Sequence, residues 1–134
     1  MLNIMVVDEH VPNVDAYKHV AAAVPDSRVT CYTDHTLAFE DCSLNVPDVV
    51  LIDEESADGD PIAFGHRLKQ RFGRTKPLIV MMGRERRGLA GDARTHGIDC
   101  FVPKPVNMEL LAVLLQKALA YHEAQAALAR SALR

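Results

Sequence analysis

Residues 47–53, Pro47-Asp48-Val49-Val50-Leu51-Ile52-Asp53, decide how this chain folds. Four consecutive apolar residues, three of them β-branched, run straight into a carboxylate. A strand with one face in water alternates apolar and polar residues. An unbroken apolar run of this length fits a strand buried on both faces, as in a parallel sheet. Two further runs share the pattern: Ile4-Met5-Val6-Val7, which ends on Asp8-Glu9, and Leu78-Ile79-Val80-Met81-Met82, which follows Pro77. Two other segments alternate instead. Val29 and Cys31 stand between Arg28, Thr30 and Tyr32, and Ile98, Cys100 and Val102 recur at every second position. Both suit half-exposed edge strands.

Helical spacing fills the intervals between these strands. Pro12 is well placed in a first turn, and Val14, Tyr17, Val20, Ala21 and Val24 follow on one face until Pro25-Asp26 breaks the pattern. A weaker pattern runs from Asp34 to Cys42. After a loop rich in Asp and Gly (Ser56 to Asp60), Pro61 opens a helix with Phe64, Leu68 and Phe72 inward and His66, Arg67, Lys69 and Arg71 outward; Gly73 closes it. Gly83 to Gly97 holds four glycines and little periodicity, which predicts a short or loose helix. Asn107 is a good N-cap for a long helix running from Met108 nearly to the end. Five strands alternating with five helices predict an α/β domain: a single doubly wound five-stranded parallel sheet in the flavodoxin-like order 2-1-3-4-5, with an extended C-terminal helix. That order places the two alternating segments at the edges and a switch point between the first and third strands.

Length and composition bound the rest. The 134 residues suffice for one domain with a real core, and 49% hydrophobic with 25% charged residues is ordinary for a globular chain. A formal charge of -3 gives no support for direct nucleic-acid binding. No apolar run approaches the ~20 residues of a membrane span, and Met1-Leu2-Asn3 lacks the basic start of a signal peptide. A cytoplasmic location is expected, with Cys31, Cys42 and Cys100 reduced, and Cys31 and Cys100 facing the core. The six histidines show no zinc-site spacing.

The predicted topology brings Asp8, Glu9 and Asp53 to one crevice at the carboxyl ends of neighbouring strands. Like charges at ~4 Å repel by roughly 4 kcal/mol at an effective dielectric near 20, so such a group calls for a cation or raised pKa values. Hard oxygen ligands beside an open crevice favour a Mg²⁺ that keeps several waters over a closed Ca²⁺ cage. Lys104 adds a third element. It follows the fifth strand between Pro103 and Pro105, so it too lies at this edge, held stiffly, to pair with Asp53 or with an anion attached to it.

Taken together, Asp8-Glu9, the strand-terminal Asp53, Gly97, Phe101 and Lys104-Pro105 resemble the receiver domains of two-component response regulators, the CheY-like superfamily, over residues 1 to about 122. The resemblance implies a phosphoprotein of a phosphorelay: Asp53 accepts a phosphoryl group from a histidine kinase or phosphotransfer protein. It implies Mg²⁺ held by Asp8, Glu9, Asp53 and the backbone carbonyl of Glu55. It implies that Lys104 contacts the phosphoryl oxygens and that the Lys104-Pro105 bond is cis. No turnover enzyme is implied, only an acceptor that autodephosphorylates. An aspartate-nucleophile phosphatase would want a second Asp where Glu55 stands, and room for a substrate cap.

The sequence departs from this family at the readout. The switch positions are Met82, where the family has Thr or Ser, and Phe101, the aromatic that follows that hydroxyl. A thioether cannot donate a hydrogen bond. A hydrogen bond to a charged group is worth ~1.5–3 kcal/mol, against the ~5.5 kcal/mol a near-complete two-state switch needs. The usual Met-Pro after the acceptor is replaced by Ser56-Ala57, in a loop one residue short. Two readings follow: a phosphoacceptor whose signal travels differently, or a pseudo-receiver that docks to partners without phosphorylation. Glu55 and Arg84, each two residues beyond a strand-end site residue, are candidates for a gate across the crevice mouth; the alternative is a solvated pair worth ~0–1 kcal/mol. The cluster Arg84, Arg86, Arg87 and Arg94 is either a partner-docking face or a solvated loop. Gly83 and Gly88 have the glycine spacing of a phosphate loop, but Leu89-Ala90 replace its Lys-Ser/Thr.

The last helix outruns the sheet. Leu114, Ala118, Tyr121, Gln125, Leu128 and Ala132 recur at a 4-3 spacing, and residues 123–134 are read as a helical extension or a linker to an output domain. Such a tail is marginal alone in water; pairing with a second copy as a short coiled coil would cover it, and a frayed tail is the alternative.

Overall fold

Every strand pairing in the sheet is parallel, as continuous burial of its middle strands requires. The structure is a computed structural model and describes residues 1–55, 60–73, 77–84 and 88–132. In chain order the elements are β1 (Leu2–Val7), α1 (Val11–Ala22), β2 (Ser27–Tyr32), α2 (His35–Asp41), β3 (Val49–Asp53), α3 (Pro61–Phe72), β4 (Leu78–Gly83), α4 (Leu89–Thr95), β5 (Cys100–Pro103) and α5 (Met108–Ala132). The sheet order is β2-β1-β3-β4-β5, so the expected doubly wound architecture is present. The expectations for Ser56-Ala57, Arg86 and Arg87 lie outside the described residues.

The sheet separates two cores. On one face Ile4, Val6, Val49, Leu51, Val80, Met82 and Val102 pack with Tyr17 and Ala21 of α1 and with Leu111, Leu115 and Leu119 of α5. On the other, Met5, Val7, Val50, Ile52, Ile79 and Met81 pack with Ala38, Phe64, Leu68 and Ala93. Leu51 is fully buried at the centre of the first core. Leu51→Ala is expected to destabilise the fold by roughly 2–5 kcal/mol, read as a lowered urea midpoint at unchanged slope.

Side-chain carboxylates and one amide fasten the helix starts. Asp34 accepts from the backbone N–H groups of Thr36 and Leu37, Asp60 from those of Ile62 and Ala63, and Asn107 from those of Glu109 and Leu110. The Asp34 cap explains why so weak a pattern still forms α2. At the amino ends of the strands, Asp48 accepts from the Asn3 N–H and Asp99 from the Ile79 N–H, each at 2.8 Å. Asp99 also pairs with Lys69 at 2.7 Å.

All three cysteines are free. Cys42 is buried, whereas Cys31 and Cys100 pack against the first core as expected but are only half-buried. The edge strands that carry them have no outer neighbour to close the sheet over their side chains. The fifth strand also starts later than the alternation suggests, at Cys100, with Ile98 buried just before it.

Candidate functional site

The carboxyl ends of β1, β3 and β5 open onto a cavity of about 370 Å³ lined by Asp8, Glu9, His10, Asn13, Asp53, Glu55 and Lys104. β1 delivers Asp8, β3 delivers Asp53, and the turn after β5 delivers Lys104. The register pairs Asp53 with Met82 and puts β1 directly beside β3, so the carboxylates meet across one strand spacing. Asp53 is 1% exposed and Asp8 2%.

Each carboxylate is held by a donor. Asp53 Oδ1 accepts from the Glu55 N–H at 2.8 Å, and Asp8 Oδ1 from the His10 N–H at 2.8 Å. Lys104 Nζ stands 2.7 Å from Asp53 Oδ2 and 3.4 Å from Glu55 Oε2. Asn13 Nδ2 approaches Asp53 Oδ2 at 3.5 Å. Asp8 Oδ2 is buried with no hydrogen-bond partner among the described residues.

The electrostatics follow from this crowding. Burial pushes the Asp8 carboxyl up to about 6; the Asp53 charge adds to this, while the His10 N–H and the Asn13 carboxamide oppose it. Burial pulls the Lys104 ammonium down, but its hydrogen bond to and charge attraction from Asp53, then Glu55, outweigh that and hold it above the ordinary lysine value. Burial, reinforced by the charges of Asp53, Asp8 and Glu55, holds the Tyr17 phenol well above its usual range.

The remaining candidates fall around this centre. Glu9 is exposed at the rim. Arg84 Nε sits 2.9 Å from Glu55 Oε1, so the two candidate gate residues pair. The Lys104-Pro105 bond is cis. Met82 is fully buried in the core shared by α1 and α5, opposite Val102, whereas Phe101 lies opposite Met81 and packs against the other core. The two switch positions therefore point to opposite faces of the sheet. His10 and Asn13 escape a reading based on strand ends. Their signal is position: α1 starts two residues after Asp8-Glu9, so its first turn must border the same crevice.

The site fits a small hard cation. The orphaned Asp8 Oδ2 is an acceptor in want of a partner, and burial, with the Asp53 charge adding to it, raises the Asp8 carboxyl, a cost that a cation beside it would relieve. Among the described residues no three His, Cys, Asp or Glu side chains close on one point.

No protein-family model matches the chain, and no curated protein matches it. Solved structures do match. The signal receiver domain of a DNA-binding response regulator from Colwellia psychrerythraea 34H aligns with TM-score 0.82 at 16% identity, over 90% of this chain and 99% of that one. The fold is that of a receiver domain. A CheY-like response regulator receiver domain protein from Methanospirillum hungatei JF-1 gives TM-score 0.81 at 16% identity, over 93% and 98% of the two chains. The BeF3-activated DrrB receiver domain gives 0.79 at 19%, over 90% and 98%. Among the described residues no helix is long and apolar enough to cross a membrane.

Proposed function

We propose that this chain is a receiver domain whose Asp53 accepts a phosphoryl group from a histidine kinase or a phosphotransfer protein, and whose phosphorylated state regulates an output domain or a separate partner in the cytoplasm. One observation carries the reading: a carboxylate 1% exposed at a strand end, with an ammonium 2.7 Å from one oxygen and a second buried carboxylate beside it. Burial strips Asp53 of competing water, and Lys104 keeps its charge across the physiological range. An Asp53 oxygen attacks phosphorus, forming an O–P bond as the P–N bond to the donor histidine breaks. The bonding pair leaves with the imidazole, which takes a proton from solvent. Lys104 neutralises the charge on the transferred group. Bound Mg²⁺ would supply further neutralisation, with Asp8, Glu9, Asp53 and the Glu55 carbonyl as the residues that would hold it.

Incubation with Mg²⁺ and acetyl phosphate is expected to add one phosphoryl group to the intact mass, located at Asp53 and labile to hydroxylamine. An unmodified protein overturns this reading in favour of a phosphorylation-independent docking module, which the buried Met82 in the hydroxyl's place supports.

The Glu55–Arg84 pair is proposed as a gate on water access to the acyl phosphate. Arg84 is 77% exposed in its side chain, so screening keeps the effect small. Arg84→Ala is expected to speed autodephosphorylation by up to about fivefold; an unchanged decay rate removes the gate. Residues 1–122 are proposed as the receiver unit and 123–134 as an extension that pairs two copies through the exposed Leu128, with the exposed Tyr121 at the end of the receiver unit continuing the same seam. Sedimentation of the full chain and of one lacking 123–134 tests this: a concentration-dependent dimer is expected only for the former, and monomers in both remove it.

A further inference from the structure

The two oxygens of Asp53 are not equivalent. Oδ1 is tied to the backbone through the Glu55 N–H at 2.8 Å. Oδ2 faces the crevice, where Lys104 Nζ stands at 2.7 Å and Asn13 Nδ2 at 3.5 Å. The lysine contact is already optimal, whereas 3.5 Å is the outer limit of a hydrogen bond. A phosphoryl group on Oδ2 would carry three strong acceptor oxygens outward into the cavity that Asn13 lines. The Asn13 carboxamide is thus shared between Asp8 and a long contact to Asp53, and is placed to turn toward a phosphoryl group on Asp53.

Met82 cannot serve in that role: it has no donor and is fully buried. We propose that the Asn13 carboxamide reads the state of Asp53, donating a hydrogen bond to the phosphoryl group and transmitting phosphorylation through α1 to α5 instead of through a hydroxyl on β4. The inference rests on Asp53 being the acceptor. Its route is a continuous piece of packing. Asn13 lies in the first turns of α1, and Tyr17 and Ala21 follow at intervals of four residues on the same face. Both are buried against the core that holds Leu111, Leu115 and Ala118 of α5. A pull on the start of α1 therefore acts on a helix whose inner face is shared with α5, and packed helices shift as rigid bodies. Phe101 sits across the sheet from this route.

Fluoroberyllate with Mg²⁺, followed by ¹⁹F signals for binding and by amide shifts for response, tests the inference on the full chain and on Asn13→Ala and Asn13→Gln. Alanine is a better helix former than asparagine, so folding of α1 is retained. In the unaltered chain, shifts are expected around Asp53, along α1 and over Leu111 to Leu119. Asn13→Ala is expected to bind fluoroberyllate about tenfold more weakly or worse. At saturation it keeps the shifts around Asp53 and loses those in α5, and Asn13→Gln, which retains a carboxamide, recovers part of them. Saturated Asn13→Ala with α5 shifts of full size overturns the role of Asn13 alone. Failure of the unaltered chain to bind fluoroberyllate overturns the acceptor reading and this inference together.

Discussion

Asp53→Asn abolishes the mass increase produced by acetyl phosphate and Mg²⁺. The substitution is nearly isosteric at a fully buried strand end, so β3 and its pairings with β1 and β4 persist. What is lost is the nucleophile, because a neutral amide oxygen does not form a stable link to phosphorus. The Lys104 ammonium loses its partner at 2.7 Å but retains Glu55 at 3.4 Å and 18% exposure, so it is not stranded. The control is circular dichroism and an unfolding curve close to those of the parent chain. Continued single modification of Asp53→Asn would move the acceptor to another carboxylate of the crevice and contradict the assignment.

Asp8→Asn makes the protein more stable while weakening its hold on Mg²⁺. In the metal-free chain the Asp8 carboxyl titrates near 6 instead of its ordinary 3.8, so the folded state binds a proton more tightly than the unfolded state does. Stability from this group is complete below 3.8 and is lost as pH rises through about 6. At about 1.4 kcal/mol per pH unit, the displacement sets a ceiling of about 3 kcal/mol for the penalty at pH 7. A neutral asparagine removes that penalty, and the gain is expected at roughly 1–3 kcal/mol at pH 7 and to vanish toward pH 4. Urea unfolding at both pH values measures it. Mg²⁺ should stabilise the parent chain more than the variant; a parent chain whose stability is flat between pH 4 and 7 would reject the raised, burial-penalised Asp8 carboxyl.

The architecture was legible because the three inner strands are apolar without interruption and each ends at a punctuation: Asp8, Asp53, or Gly83. Strand ends open onto the crevice of such sheets, so the convergence of Asp8, Asp53 and Lys104 on one cavity was legible with them. The same continuity concealed other things. A run buried on both faces has no period of two, and so says nothing about which side chain faces which core; that Met82 and Phe101 point to opposite faces follows from register alone. Asn13 was hidden for a related reason. Helical spacing picks out apolar residues, and a polar residue turned inward toward a crevice reads like any exposed one. The half-burial of Cys31 and Cys100 depends on their strands' edge position, which leaves one side of each uncovered.

α5 spans 25 residues, and its last buried side chain is Leu119. The thirteen residues beyond it reach roughly 20 Å at 1.5 Å per residue. Packed in the core as far as Leu119 and held again where the His122 ring Nδ1 meets Asp48 at 3.5 Å, the helix is a lever whose arm is its exposed distal turns. A tilt of about 5° in the packed half sweeps the ~15 Å arm beyond His122 through about 1 Å at its far end. Geometry alone thus gives this domain mechanical gain: a small local change becomes a displacement that anything attached to, or resting on, the distal turns must feel.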